Sequence, residues 1–302
     1  MLALGAARPA LAQTPPPTVR IATISSDIFG EPFYGQDAGL FKRAGLNVEL
    51  SVFTNSGAVG TAVAAHAVDV GIYDVVGIGA AVEEGVPITM FAAGSLFATA
   101  TPTAMLCVAK ASPLRAPRDF AGKTIAVSTL HGLSDAATRA WLTRAGVSIA
   151  NMKIVEIPFA QMAAALERGT VDGAVIAEPF FTAAKLAGEL PVGNVFDAIA
   201  PAFYQTGWIA SPDYLAANPD TARRLVDVAY TIARWGNTHH SESGPIIAKY
   251  AKLDDATARA MTRTAYATSL ELRDIQPLLD VAATYGLLKR PIKAAEIVTV
   301  IR

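Results

Sequence analysis

Two acids, one histidine and a group of small hydroxyl side chains carry most of the chemistry this sequence offers. Asp74 and Glu178 each follow one copy of a doubled phrase, Val63-Ala-Ala-His-Ala-Val-Asp-Val-Gly-Ile72 and Leu166-Glu-Arg-Gly-Thr-Val-Asp-Gly-Ala-Val175. A carboxylate at a strand end can accept hydrogen bonds from an amino or amidine-like ligand, or simply cap the next helix. His131, in Ser128-Thr-Leu-His-Gly132, could donate to an anion or titrate near neutral pH; the bland reading is a surface loop histidine. Asn55-Ser56-Gly57 opens a helix after a strand, where unpaired N–H groups and the helix dipole favour an anion, or where Asn55 is a plain N-cap. Tyr73 can stack on a planar ligand or donate its hydroxyl.

These residues share one placement. In open α/β sheets ligands bind beyond the carboxyl ends of the strands. That rule adds Ser26 and Phe29 after the first strand, Ser95 in Gly94-Ser-Leu-Phe97, and Ser128, Thr129 and Gly132 in the loop that mirrors Asn55. Trp208 is a cleft wall or a core residue. Acids beside anion-favouring loops create a tension. A planar ligand with donors at one end and an acceptor or carboxylate at the other would satisfy both.

Short β-branched runs alternating with helical patterns position these groups, which is the βαβ signature of a mainly parallel sheet. Strands are expected at 18–24, 47–53, 68–72, 88–92, 103–109, 123–127, 153–157, 173–176 and 205–210. Helices are expected at 32–43, 56–66, 134–145 and 161–168, and the chain beyond Pro212 reads as wholly helical. Aligned on Asp69 and Asp172, the doubled phrase lies a domain-length apart, so the fold class is α/β with two lobes and a cleft. Residues 18–105 plus 210–302 would form lobe 1, and 106–209 lobe 2 with the hinge segments.

The bulk composition narrows the function. The chain has 302 residues, 17% of them charged, and a net charge of −1. That balance gives no electrostatic case for nucleic acid or an anionic membrane. No apolar run is long enough to span a bilayer. Met1 to Gln13 ends in Ala10-Leu-Ala12 and is followed by Thr14-Pro-Pro-Pro-Thr18, so 1–17 reads as a signal-peptide remnant and leader. Cys107, the one cysteine, lies in an apolar run and reads as core. Gly77-Ile-Gly-Ala-Ala-Val82 lacks the third glycine of a dinucleotide fingerprint, and Gly132-Leu-Ser-Asp-Ala136 lacks the final glycine of a nucleophile elbow. His239 and His240 are adjacent, so on a helix they point about 100° apart. No cofactor or metal is expected.

Gly39-Leu-Phe-Lys-Arg-Ala-Gly-Leu-Asn-Val-Glu-Leu50, Asp119-Phe-Ala-Gly-Lys-Thr-Ile-Ala-Val127 and Leu166–Pro179 resemble, in order and spacing, segments of a known family. It is the ABC-transporter solute-binding proteins of the nitrate/sulfonate/taurine and thiamine-pyrimidine-precursor type. The resemblance implies a two-lobed periplasmic-binding-protein fold of type II, crossed twice at a hinge. It implies a monomeric periplasmic protein, without catalysis, that closes on a small organic anion and presents it to the permease and ATPase subunits of an importer. Ala177 departs from the pattern, because many relatives place an aromatic residue there. A pyrimidine-type ligand is the alternative. So is an enzyme on the same fold, for which Glu178 and His131 would be the acid–base couple. A cytoplasmic sensor would need a helix-turn-helix that the sequence does not supply.

Overall fold

A computed structural model describes residues 18–301. The leader expected over 1–17 lies outside the described residues. The strands are β1 (Thr18–Ile24), β2 (Asn47–Phe53), β3 (Val70–Asp74), β4 (Thr89–Ala93), β5 (Ser95–Ala98), β6 (Ala104–Val108) and β7 (Thr124–Val127). They continue as β8 (Lys153–Glu156), β9 (Gly173–Ala177), β10 (Leu190–Gly193), β11 (Ala202–Tyr204), β12 (Thr206–Ala210) and β13 (Ala265–Tyr266). The helices are α1 (Glu31–Asp37), α2 (Leu40–Arg43), α3 (Ser56–Ala64), α4 (Val75–Glu83), α5 (Leu133–Arg144) and α6 (Phe159–Glu167). They end with α7 (Phe180–Ala187), α8 (Pro212–Ala217), α9 (Pro219–Thr238), α10 (His240–Ala251), α11 (Asp255–Ala260) and α12 (Leu272–Thr284).

Two sheets repeat one plan. The first runs β2-β1-β3-β12-β4 and the second β8-β7-β9-β6-β10. In each, three parallel strands are followed by an antiparallel one, β12 in the first and β6 in the second. The doubled phrase does the same work in both. Asp69 exchanges backbone and side-chain bonds with Arg20, its Oδ2 accepting Arg20 N at 2.8 Å while its own N–H donates to Arg20 O at 2.9 Å. Asp172 does so with Thr124, at 2.9 Å and 2.8 Å. Each acid ties the loop before one strand to the parallel strand beside it, β1 in the first sheet and β7 in the second.

The inner strands β3, β9 and β12 and the edge strand β4 are buried along their whole length, as near-continuous apolar runs covered by helices on both faces should be. A small sheet, β11-β5-β13, lies where the chain passes between lobes. The expected boundaries at 105/106 and 209/210 fall inside β6 and β12. All of β6 pairs in the second sheet and all of β12 in the first.

Two expectations need correction. The helix read over 32–43 is split into α1 and α2 by Gly39, whose φ of +69° is open to glycine but strained for other residues. The segment after Pro212 is not wholly helical, because β13 pairs with β5 and Val298 bridges to Met90. Among the described residues no helix is long and apolar enough to cross a membrane.

Candidate functional site

The lobes meet along a hydrogen-bonded seam. Asn55 caps α3, its Oδ1 accepting Ala58 N at 2.8 Å, while its Nδ2 donates across to Glu156 Oε1 at 3.0 Å. Ser56, at the start of α3, lies 3.1 Å from the Thr129 hydroxyl, which also accepts Ser56 N at 3.2 Å. Asp74 caps α4 and accepts Leu133 N from the start of α5 at 3.1 Å. Gly132 keeps this seam tight, and Gly57 faces Thr129 in it. A Cβ on Gly132 would lie 3.2 Å from Thr129 Cβ and 3.4 Å from Asp74 Oδ2.

Beside the seam lies a cavity of about 500 Å³. Its walls are the carboxyl ends of β1 and β2 (Ile24, Ser25, Phe53, Thr54), the start of α6 (Phe159), Phe180 of α7, and the end of α10 (Tyr250, Lys252). It therefore spans both lobes and sits where the strand-end rule puts a ligand. The aromatic walls are held by ring contacts. Tyr250 stacks on Phe33 with centroids 4.0 Å apart, and Phe159 is near-parallel to Phe180 at 6.4 Å. Lys249 is paired with Asp37 at 2.7 Å, whereas Lys252, the C-cap of α10, has no ion-pair partner among the described residues. The α6 cap is Pro158, which supplies no side-chain acceptor for the first-turn amides.

None of the residues expected at the site lines this cavity. Asn55, Ser56, Gly57, Asp74, Thr129 and Gly132 are brought together in the seam, with Ser128 half-buried in the same loop. Tyr73 is wedged between Gly60 and Gly77, whose added Cβ atoms would each fall 2.4 Å from its ring; it is lobe-1 core. His131 is exposed, and its backbone N–H donates to Asp135 at 3.0 Å. Trp208 is fully buried and donates to Glu31 Oε2 at 3.0 Å, so it is core and not a cleft wall. Phe29 is buried, and Ser95 bonds the Thr206 hydroxyl at 2.8 Å inside the hinge region.

Ser26 Oγ and Asp27 N both donate to the Glu178 carbonyl, at 2.9 and 2.8 Å. The Glu178 carboxylate is taken up by Thr182 N, Thr182 Oγ1 and Thr262 N, at 3.0, 2.8 and 3.1 Å. Burial outweighs these donors and pushes the Glu178 carboxyl up to about 7. Burial likewise raises Asp74 against its three donors. Both acids point into protein contacts, so neither opposes an anion in the cavity. Asp27 is the reverse case. It is fully buried, but Arg263 binds it through Nε and Nη2 at 3.2 and 2.8 Å, with Tyr34 and Thr264 N adding bonds, and it is held below the ordinary carboxyl value.

Phe53, Phe159, Tyr250 and Lys252 were not anticipated. Phe159 follows β8 and the strand-end rule could have found it. Lys252 arrives from the C-terminal helices, and nothing in its local sequence marks it. Among the described residues no group of three His, Cys, Asp or Glu is arranged to hold a metal ion.

The paired sheets, hinge and intervening cleft define a two-lobed periplasmic-binding-protein fold. Solved structures agree. The alkanesulfonate-binding protein SsuA from Xanthomonas axonopodis pv. citri, bound to MOPS, superposes with a TM-score of 0.78 at 17% identity, covering 95% of this chain and 99% of that one. The periplasmic aliphatic sulphonate-binding protein SsuA from Escherichia coli gives 0.76 at 15% identity, over 95% and 93%. The desulfurization enzyme DSZB gives 0.65 at 15% identity, over 94% and 96%, so the fold also carries catalysis. No curated protein sequence matches this chain. The family described as NMT1/THI5 like matches residues 29–233, and the chain belongs to that family.

Proposed function

We propose that this chain is the periplasmic solute-binding component of an ABC importer, and that its ligand is a small organic anion with an apolar or aromatic body. The cavity carries this reading. Its size lies in the range of small-molecule sites, roughly 300–1,000 Å³. Its walls are aromatic, and its charged group without an ion-pair partner is Lys252. The uncapped start of α6 adds backbone donors suited to a carboxylate or sulfonate. We assign ligand contact to Ser25, Thr54, Phe53, Phe159, Tyr250 and Lys252. Closure belongs to Asn55, Ser56, Gly57, Asp74, Thr129 and Gly132. Lobe 1 comprises about residues 18–103 and 206–301, with all of β12, and lobe 2 the segment between them, with all of β6. The protein acts as a monomer in the periplasm and hands its solute to a permease coupled to ATPase subunits.

Binding without turnover is favoured by the state of the reactive groups. His131 is exposed and the Glu178 carboxyl is enclosed by Thr182 and Thr262, so the two do not form an acid–base pair. The Cys107 thiol is buried and pushed up to about 12, far from a nucleophilic thiolate. Isothermal titration with benzenesulfonate, benzoate and neutral benzamide tests the ligand class. Saturable binding of an acid, absent for the amide, is the expected result. Tighter binding of the amide, or of a neutral aminopyrimidine, refutes it.

A further inference from the structure

We propose that Asp74 is the latch that closes the cleft, and that its carboxylate keeps a ligand's anionic group away from the start of α5. The observation is an acid of one lobe seated on a helix terminus of the other. Asp74 Oδ1 accepts Leu133 N of α5 at 3.1 Å and Gly77 N of α4 at 3.0 Å. Its Oδ2 accepts Ser56 Oγ of α3 at 2.6 Å. Three helix starts thus converge on one carboxylate. The α5 terminus, with Gly132 as a cap that has no side chain, is like the start of α6 a set of backbone donors in lobe 2 suited to an external anion. Here the protein supplies that anion itself. Gly132 lets the loop fold closely under this contact, since a Cβ there would lie 3.2 Å from Thr129 Cβ and 3.3 Å from the Thr129 carbonyl oxygen.

Two consequences follow from this arrangement. The lobes close on a bond that needs no ligand, with Ser56–Thr129 and Asn55–Glu156 alongside it. A solute carrying a sulfonate or carboxylate finds the α5 amide already occupied and meets a second negative charge there. Its charged end is directed to the cavity beside Lys252. Only this second consequence rests on the anion-binding reading above.

Asp74→Ser separates the roles of the residue. Serine still caps α4 but is too short to hold Leu133 N across the seam. Leu133→Pro makes the same cut from the other side, because proline is tolerated at the first helical position and lacks the N–H, and Gly132 is already extended (φ −107°, ψ −168°). Small-angle X-ray scattering of the ligand-free proteins should give a larger radius of gyration for both variants than for the parent, with unchanged circular dichroism. Parent-like dimensions in either folded variant overturn the latch. Methanesulfonate, titrated against the Leu133 amide signal, should act at a roughly tenfold lower concentration in Asp74→Ser than in the parent. An equal response in the two overturns the exclusion. The scattering readout uses no solute, and the methanesulfonate readout is taken at the Leu133 amide rather than at the cavity, so either failure is distinguishable from a failure of the cavity to bind organic anions.

Discussion

Lys252 and Tyr250 show how much a single side chain can decide in this cleft. Lys252 closes α10 in a left-handed conformation (φ +57°) and contributes its charge to a cavity whose aromatic walls are Phe53, Phe159, Phe180 and Tyr250 and whose other lysine, Lys249, is paired with Asp37. The lysine is exposed, so its attraction for an anion is screened, and Lys252→Gln should weaken binding of an aromatic acid by about 1 kcal/mol, several-fold in Kd. Repeating the titration at higher salt should shrink the parent's advantage over the variant. Tyr250→Ala should cost more, on the order of 2 kcal/mol, because it removes a stacked wall. The family resemblance pointed to the cleft as a whole, and the loops after β1 and β2 were legible from the strand-end rule. The particular side chains were not, because half of the wall comes from segments remote in sequence.

At the level of elements, the ladders were readable and their attachments were not. β1 and β2 stand where their β-branched runs predicted, and the doubled phrase marked the same turn in both lobes. The strands missed, β5, β10, β11 and β13, have two to four residues each, too few for a period-2 pattern to declare itself. The bond that ties the turn after β1 to the segment after α11 was equally silent. Asp27 and Arg263 are 236 positions apart, and neither sits in a motif. Yet the pair is nearly solvent-free, with side chains 7% and 0% exposed for Arg263 and Asp27. Arg263→Met leaves a buried carboxylate without its cation, and should destabilise the protein by about 3–5 kcal/mol in urea unfolding. The double variant Arg263→Met/Asp27→Asn should recover a substantial part of that loss, because both charges are then gone.

Across the whole molecule, buried acids of opposite behaviour set the pH profile of stability. Asp27 is held below its ordinary value of 3.8 by Arg263, so folding favours its ionised form. Its contribution is present above pH 3.8 and is lost as pH falls through the depressed value. Glu178 is raised from 4.5 to about 7 by burial, so folding favours its protonated form. Its contribution is present below pH 4.5 and is lost as pH rises through about 7. Glu31, whose carboxyl meets only the Trp208 N–H, and Asp74 are raised for the same reason and act in the same direction as Glu178. These terms leave a maximum between pH 3.8 and 4.5, followed by a decline toward pH 7. Glu178 alone accounts for a fall on the order of 3 kcal/mol across that interval. Urea titrations from pH 2 to 8 should trace both limbs, and Glu178→Gln should make the decline shallower while leaving the acid limb intact. A stability that instead rises from pH 5 to 7 in the parent would mean that Glu178 is ionised in the folded protein and that its three donors outweigh its burial.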